Sequence, residues 1–328
     1  MARLLTEADV RRILTMPMAM ESVEQAFRRY ANGRAILHPR IRLLMPSRSY
    51  MHYMAAADLD AGYCGMKIYT SIRGGALRFV VALFKAETGK LVALLEADYL
   101  GQMRTGAASG VATRLMARED AKRCGILGSG TQARTQLEAM AAARKLEEIR
   151  VYSRNPERCD AFCREMSLRL GLPVAPAPTS ESAVREMDIV VTATSSSTPV
   201  VFGEWLTHEA HINAIGANFP QKRELDEEAV KRCGIIVVDS REQSRLEAGD
   251  LIEVLGEDSN AWAAVRELSD VVSGKLAGRT HDRQVTLFKS NGVAIEDITV
   301  AARVYEEAVK QAIGQHLPFA ELPVGREG

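Results

Sequence analysis

Cys124-Gly-Ile-Leu-Gly128-Ser129-Gly130-Thr131-Gln132-Ala133 reads as a short apolar strand, a G-x-G-x-x-A loop and the start of a helix. In such an arrangement Gly128 permits a tight turn, Gly130 lets backbone approach a pyrophosphate, and the small Ala133 lets the helix lie close to the strand. The helix N-terminus adds N–H donors and the positive end of a dipole. A glycine loop by itself is weak evidence, so its context carries the reading. A second strand, Glu148-Ile-Arg-Val-Tyr-Ser153, begins about 20 residues after the first glycine, where the ribose-reading residue of a dinucleotide unit belongs. It leaves through Ser153-Arg154-Asn155-Pro156, without the carboxylate that commonly meets a ribose 2′-hydroxyl. A hydroxyl and a guanidinium suit a 2′-phosphate instead. The pattern predicts NADP as cofactor. NAD is the alternative if Arg154 is only a solvated turn residue.

Bulk properties narrow the setting. A chain of 328 residues predicts two domains. Its 42 basic and 42 acidic residues cancel, leaving no basic surplus for nucleic acid. No run approaches the ~18 apolar residues of a membrane span, and the first residues carry acids in place of a signal peptide's apolar stretch. The five cysteines include no C-x-x-C pair; Cys159 and Cys163 lie four apart without a second pair or a nearby His, so no metal is expected. The odd count fits a reducing cytoplasm.

The elements that would hold these residues fall into two groups. Thr6-Glu-Ala-Asp opens a helix that runs to Ile13, and a second spans Ala19 to Asn32. Apolar runs at Tyr50–Ala57, Tyr63–Thr70, Leu77–Lys85 and Leu91–Glu96, with a turn at Thr88-Gly89-Lys90, predict an antiparallel sheet. A small-residue helix follows from Arg104 to Thr113. Strands and helices then alternate, with strands at Cys124–Leu127, Ile149–Ser153, Ile189–Ala193, His211–Ile215 and Ile235–Val238. Such apolar strands between helices predict a Rossmann-type, doubly wound parallel sheet in an α/β protein. Thr194–Thr198 and Gly216–Pro220 fall at strand ends, where open α/β sheets bind ligands. A helix from Ala294 to about Ile313 closes this domain, and Gly249–Asn260 carries no clear signal. The charges of Arg241 to Glu247 fit a solvated helix face. His208 and His211 read as structural, His52 as a core histidine near the pocket, and Asp58 as a weak polar contact. No G-x-S-x-G supports a serine hydrolase.

Five patches together resemble the ornithine cyclodeaminase/mu-crystallin family over nearly the whole chain: Gly65-Met-Lys67, Glu96 to Ser109, Gly128 to Ala133, Gly216 to Asp226, and Lys289-Ser-Asn-Gly292 with Glu296-Asp297. The resemblance implies a substrate-binding and dimerisation domain from residues 1–118 with 305–328. It implies a dinucleotide domain over 119–304 and a homodimer. It also implies hydride exchange at the α-carbon of a small amino acid or its imine. Family carboxylate-binding residues match Lys67, Arg104 and an arginine just after a proline. Arg40 follows Pro39 directly and is preferred to Arg42. A bidentate guanidinium would orient the carboxylate so that the reacting carbon faces the nicotinamide. Lys67, beside arginines and partly buried, would titrate nearer neutrality and serve as proton donor. Thr192 and Thr194 would line the adenosine and ribose side, with Ser290 and Gly292 near the nicotinamide. The chain departs from the family's Gly-Gly-Asp-x-Pro motif at Gly216-Ala217-Asn218-Phe219-Pro220. An amide takes no proton from a substrate amine, so Asn218 disfavours ornithine cyclodeamination. The rival outside enzymes is a crystallin-like protein that binds NADPH without turnover.

Overall fold

The computed structural model describes residues 2–46, 49–72 and 77–319. Among these, two eight-stranded sheets organise the chain. In the first, the order is Gln315–His316, Arg3–Leu5, Leu91–Glu96, Arg78–Lys85, Tyr63–Ser71, Tyr50–Asp58 and Ala35–Leu37, with Ile41–Leu44 also paired to Tyr50–Asp58. The four long strands form antiparallel neighbours, as their alternating patterns and turns predict. Arg3–Leu5 is an addition that the sequence does not signal, and it runs parallel to Leu91–Glu96, so the sheet is mixed. Along Tyr50–Asp58, His52, Met54, Ala56 and Asp58 are buried at period two; Asp58 meets Arg29 of the helix Met16–Ala31, and the strand packs on the helix Ala294–Lys310. The latter helix, which the sequence reading divides at residue 304, packs against the first sheet and its helices throughout. Its buried face, from Ile295 to Ala308, belongs to that core. Residues 320–328 of the expected first domain lie outside the described residues.

The second sheet has the order Val174–Pro176, Glu148–Tyr152, Arg123–Leu127, Ile189–Thr192, His211–Ala214, Val285–Lys289, Cys233–Val238 and Arg266–Glu267, and every pair is parallel. Ile189–Thr192, His211–Ala214 and Val285–Lys289 are buried at every position, the mark of a sheet covered on both faces. The winding direction reverses between Arg123–Leu127 and Ile189–Thr192, which opens a crevice at their carboxyl ends.

The helix Asp98–Met116 joins the two halves by packing on Thr131–Ala143. Its small residues make this possible. A Cβ on Gly106 would lie 2.5 Å from the backbone oxygen of Thr135, so the two helices meet at backbone distance. That approach brings Arg104 to the crevice. Within the stretch 249–260, two helices form, Gly249–Leu255 and the start of Ser259–Ala264, the second capped by Asp258.

Candidate active site

The strand Arg123–Leu127 ends at Gly128, whose φ of +111° suits glycine and whose Cβ would fall 2.4 Å from the oxygen of Ala193. Gly130 is the N-cap of Thr131–Ala143 and supplies no side-chain cap. Nothing lies within 4 Å of the Cβ position of Gly130, so the helix N-terminus opens into a cleft of about 500 Å³. Gly128 to Gln132 line that cleft, and so do Ser153, Arg154 and Asn155 together with Arg158, which the sequence reading missed. Asn155 also caps the helix Pro156–Leu170 through the Arg158 N–H at 2.8 Å. Ala133 is fully buried behind the loop and acts by packing. Uncapped N–H groups and open space at Gly130 fit a dinucleotide with its pyrophosphate at the helix end.

Thr194 lines this cleft, but Thr192 does not. Thr192 is wholly buried and donates to Glu224 at 2.7 Å. Glu224 also receives the Thr194 N–H and hydroxyl and the Gly216 N–H, each at 2.7 Å. The difference follows from the strand end: Thr192 is the last, wholly buried residue of Ile189–Thr192, whereas Thr194 lies beyond it, where the chain borders the cleft. The expected ribose-side role of Thr192 is therefore corrected to support of Thr194 and Gly216.

A second cleft of about 270 Å³ shares Gln132, Ala193 and Thr194 with the first. It gathers Arg40, Lys67, Arg104, Asn218, Ser290 and Gly292 from five separate parts of the chain. Lys67 comes from the strand Tyr63–Ser71, Arg104 from the helix Asp98–Met116, and Arg40 from the residue before Ile41–Leu44. Asn218 and Ser290–Gly292 follow the strands His211–Ala214 and Val285–Lys289. Of the two arginines, Arg40 belongs to this lining and Arg42 does not.

Each cation has a carboxylate behind it. Lys67 is 2% exposed, with Nζ 2.8 Å from Asp297 Oδ1. Burial pulls its pKa down to about 8, while Asp297 pulls it up and Arg104 reinforces the fall. Arg104 donates from Nη1 to Glu296 at 2.6 Å and from Nε to Asp297 at 3.1 Å. Burial pushes Glu296 up to about 8 against the pull of Arg104. Gly292 makes room for that guanidinium: with φ +77°, its Cβ would lie 2.3 Å from Arg104 Nη1. Asp239 ties the neighbouring loop, accepting from Ser290 Oγ and from the Asn291 and Gly292 N–H groups at 3.1, 2.7 and 2.6 Å.

Several expectations about bystanders change. Glu247, expected on a solvated helix face, is 1% exposed and pairs with Arg40 at 2.6 Å and Arg42 at 2.7 Å. Gln243 and Ser244 of the same helix are buried too. Asp58 is a buried anchor rather than a weak contact, paired with Arg29 and accepting from Thr299. His52 sits behind the cleft, bonded to Ser71 Oγ and stacked on Tyr69 with ring centroids 4.3 Å apart. Burial and the neighbouring Arg40 and Arg42 lower its pKa to about 4, so it is neutral. Tyr69 and Phe79 line the cleft beside Lys67 and were not singled out by sequence. His211 is buried and bonded to Thr286. Among the described residues no three His, Cys, Asp or Glu side chains group to hold a metal, and no helix is long and apolar enough to cross a membrane.

Residues 2–312 match the sequence model of the Ornithine cyclodeaminase/mu-crystallin family. A Delta(1)-pyrroline-2-carboxylate reductase of Bacillus cereus is 39% identical over 287 residues, covering 84% of each chain. The solved structure of Thermococcus litoralis Delta(1)-pyrroline-2-carboxylate reductase in complex with NADH and L-proline superposes with a TM-score of 0.90 and 35% identity, over 96% of this chain and 100% of that one. An archaeal alanine dehydrogenase dimer with bound NAD superposes at a TM-score of 0.91 and 34% identity, over 97% and 99%.

Proposed function

Because this chain belongs to the ornithine cyclodeaminase/mu-crystallin family, we propose that its two joined clefts form the active site of an NAD(P)-dependent oxidoreductase. The reaction is reduction of a small α-imino acid, cyclic or open-chain, to the amino acid, or the reverse dehydrogenation. The observation that carries this reading is Lys67, a buried amine held 2.8 Å from Asp297 in one cleft lining with Arg40 and Arg104, beside the cleft of the glycine loop.

When bound, the nicotinamide supplies the hydride that the imine carbon receives. Gly128 to Gln132 hold the pyrophosphate, and Ser290 and Gly292 border the nicotinamide end. Arg40 and Arg104 hold the substrate carboxylate. Arg40 spends three of its five guanidinium N–H groups on Glu247, Asn291 and Gly292, which leaves Nε–H and one Nη1–H for that task. Lys67 Nζ–H donates a proton to the imine nitrogen; in the reverse direction neutral Lys67 accepts it. Asp297 keeps Lys67 charged and aimed. Asn218, in the same lining, offers hydrogen bonds and no negative charge, which favours a preformed imine over a diamine substrate.

NADP is the preferred form of the cofactor on this reading, through Ser153, Arg154 and Asn155, while NAD(H) is what the two solved relatives hold. The working unit is a homodimer, supported by exposed Ile41, Leu43, Leu44 and Val80 on the first sheet. Five free cysteines fit the cytoplasm. Lys67→Ala tests the assignment: turnover should vanish while NADPH binds with near-normal Kd. Near-normal turnover would remove Lys67 from the chemistry.

A further inference from the structure

Glu247 is one of the most buried carboxylates of the chain, and it stands behind the cleft wall. Its Oε2 accepts from Arg40 Nη1 at 2.6 Å and from Gln243 Nε2 at 3.1 Å. Its Oε1 lies 2.7 Å from Arg42 Nη2. The two arginines lead to different segments of chain that line the substrate cleft. Arg40 continues to the oxygens of Asn291 and Gly292 at 2.8 and 3.1 Å, and its own N–H meets Gln243 Oε1. Arg42 donates to the backbone oxygen of Asn218 at 2.9 Å and stacks over Phe219 at 4.5 Å. One carboxylate thus ties Arg40, which lines the cleft, to the loop that carries Asn218, which lines it too.

We propose that Glu247 is a positioning residue that fixes the place of Arg40 relative to the Asn218 loop in the lining of the substrate cleft, and so sets affinity for the imino acid. It touches neither substrate nor cofactor. The inference rests on the reading that Arg40 holds the substrate carboxylate.

The physical reason is the valence of the group. A carboxylate accepts from both arginines at once, and two positive side chains two residues apart repel each other without it. A glutamine in its place keeps one acceptor and presents N–H groups to the other arginine. The affected lining holds parts of the substrate that do not react, so the loss falls on ground state and transition state alike and raises KM. The pair Lys67–Asp297 belongs to other elements and is untouched.

Substrate kinetics and cofactor binding on four full-length variants test this. Glu247→Gln and Arg42→Met should each raise KM for the imino acid about 10- to 100-fold, with kcat within about threefold. NADPH Kd, read by fluorescence titration, should stay near wild type. The double variant should be no worse than the poorer single, because both cut one link. Additive losses, or parallel losses in kcat and NADPH binding with a lowered Tm, would overturn the proposal in favour of a general structural role. Arg40→Met separates the two levels. Unchanged KM there refutes the carboxylate reading itself, whereas raised KM there with normal KM in the other variants refutes only the role of Glu247. If Glu247→Gln does not fold, Arg42→Met decides, since it leaves Glu247 paired with Arg40 and Gln243.

Discussion

Asp297→Asn should shift the pH dependence of imine reduction toward acid by about two units while leaving the cleft's shape intact. Lys67 must be protonated to act as an acid, so the wild-type rate is full below its pKa of about 8 and falls tenfold per pH unit above it. Two opposed effects set that pKa: burial drives it down and the Asp297 charge, 2.8 Å away, drives it up. An opposite charge at such range is worth about 1–3 pKa units, so its removal carries Lys67 to roughly 5–7. With a shift of two units, the protonated fraction at pH 8 drops from about one half to about one hundredth, a loss of roughly 50-fold. At pH 5 the variant should recover most of its rate. The assay is kcat/KM for NADPH oxidation by a cyclic imino acid across pH 5–9, wild type beside variant. Titration of the substrate itself is common to both and cancels in the difference. Any weakening of Arg104, which shares Asp297, lowers the curve without moving its break. An unmoved break, or an equal loss at every pH, would refute the assignment of Lys67 as the acid held charged by Asp297.

Arg154→Asp should turn cofactor preference from NADPH toward NADH, read as the ratio of kcat/KM values; unchanged discrimination would remove Arg154 from the 2′-phosphate site. Gly106→Ala should lower stability by about 1–3 kcal/mol in thermal or denaturant unfolding, because the new methyl meets the Thr135 oxygen at 2.5 Å. A Tm equal to wild type would mean that the two helices separate freely. Gly130→Ala is the converse case: its Cβ points into open space, so Tm should hold while dinucleotide Kd rises. Normal binding there would deny the close approach of pyrophosphate to that backbone.

Much of this site could be read from the chain because its signals are local. The glycine loop, the strand after it and the small-residue helix each state their geometry within a few residues, and Gly128, Gly130 and Gly106 have the surroundings their type requires. The cations were legible through motif resemblance, and the cleft gathers Arg40, Lys67 and Arg104. Their carboxylate partners were not. Glu296 and Asp297 sit on a helix whose periodicity says only which face is buried, and nothing local says that two charges on that face meet Lys67 and Arg104. Glu247 misled for the same reason: Arg241 to Glu247 alternates charges as a solvated helix does, and the arginines that bury it lie some two hundred residues earlier. Thr192 shows the limit at finer scale, because two residues at a strand end separate a wholly buried threonine from one that lines the cleft, and both bond the same Glu224. The parallel strand Arg3–Leu5 is too short to carry a pattern, and the helix Ala294–Lys310 gives no hint of which sheet its apolar face will meet.

The central claim is catalysis of hydride exchange with an imino acid, and initial rates of NADPH and NADH oxidation test it most directly. Pyrroline-2-carboxylate should be run beside pyruvate with ammonia or methylamine. The account predicts clear turnover with at least one of these, faster with NADPH than with NADH. Tight NADPH binding with no oxidation by any of them would contradict it and leave a protein that holds the cofactor without using it.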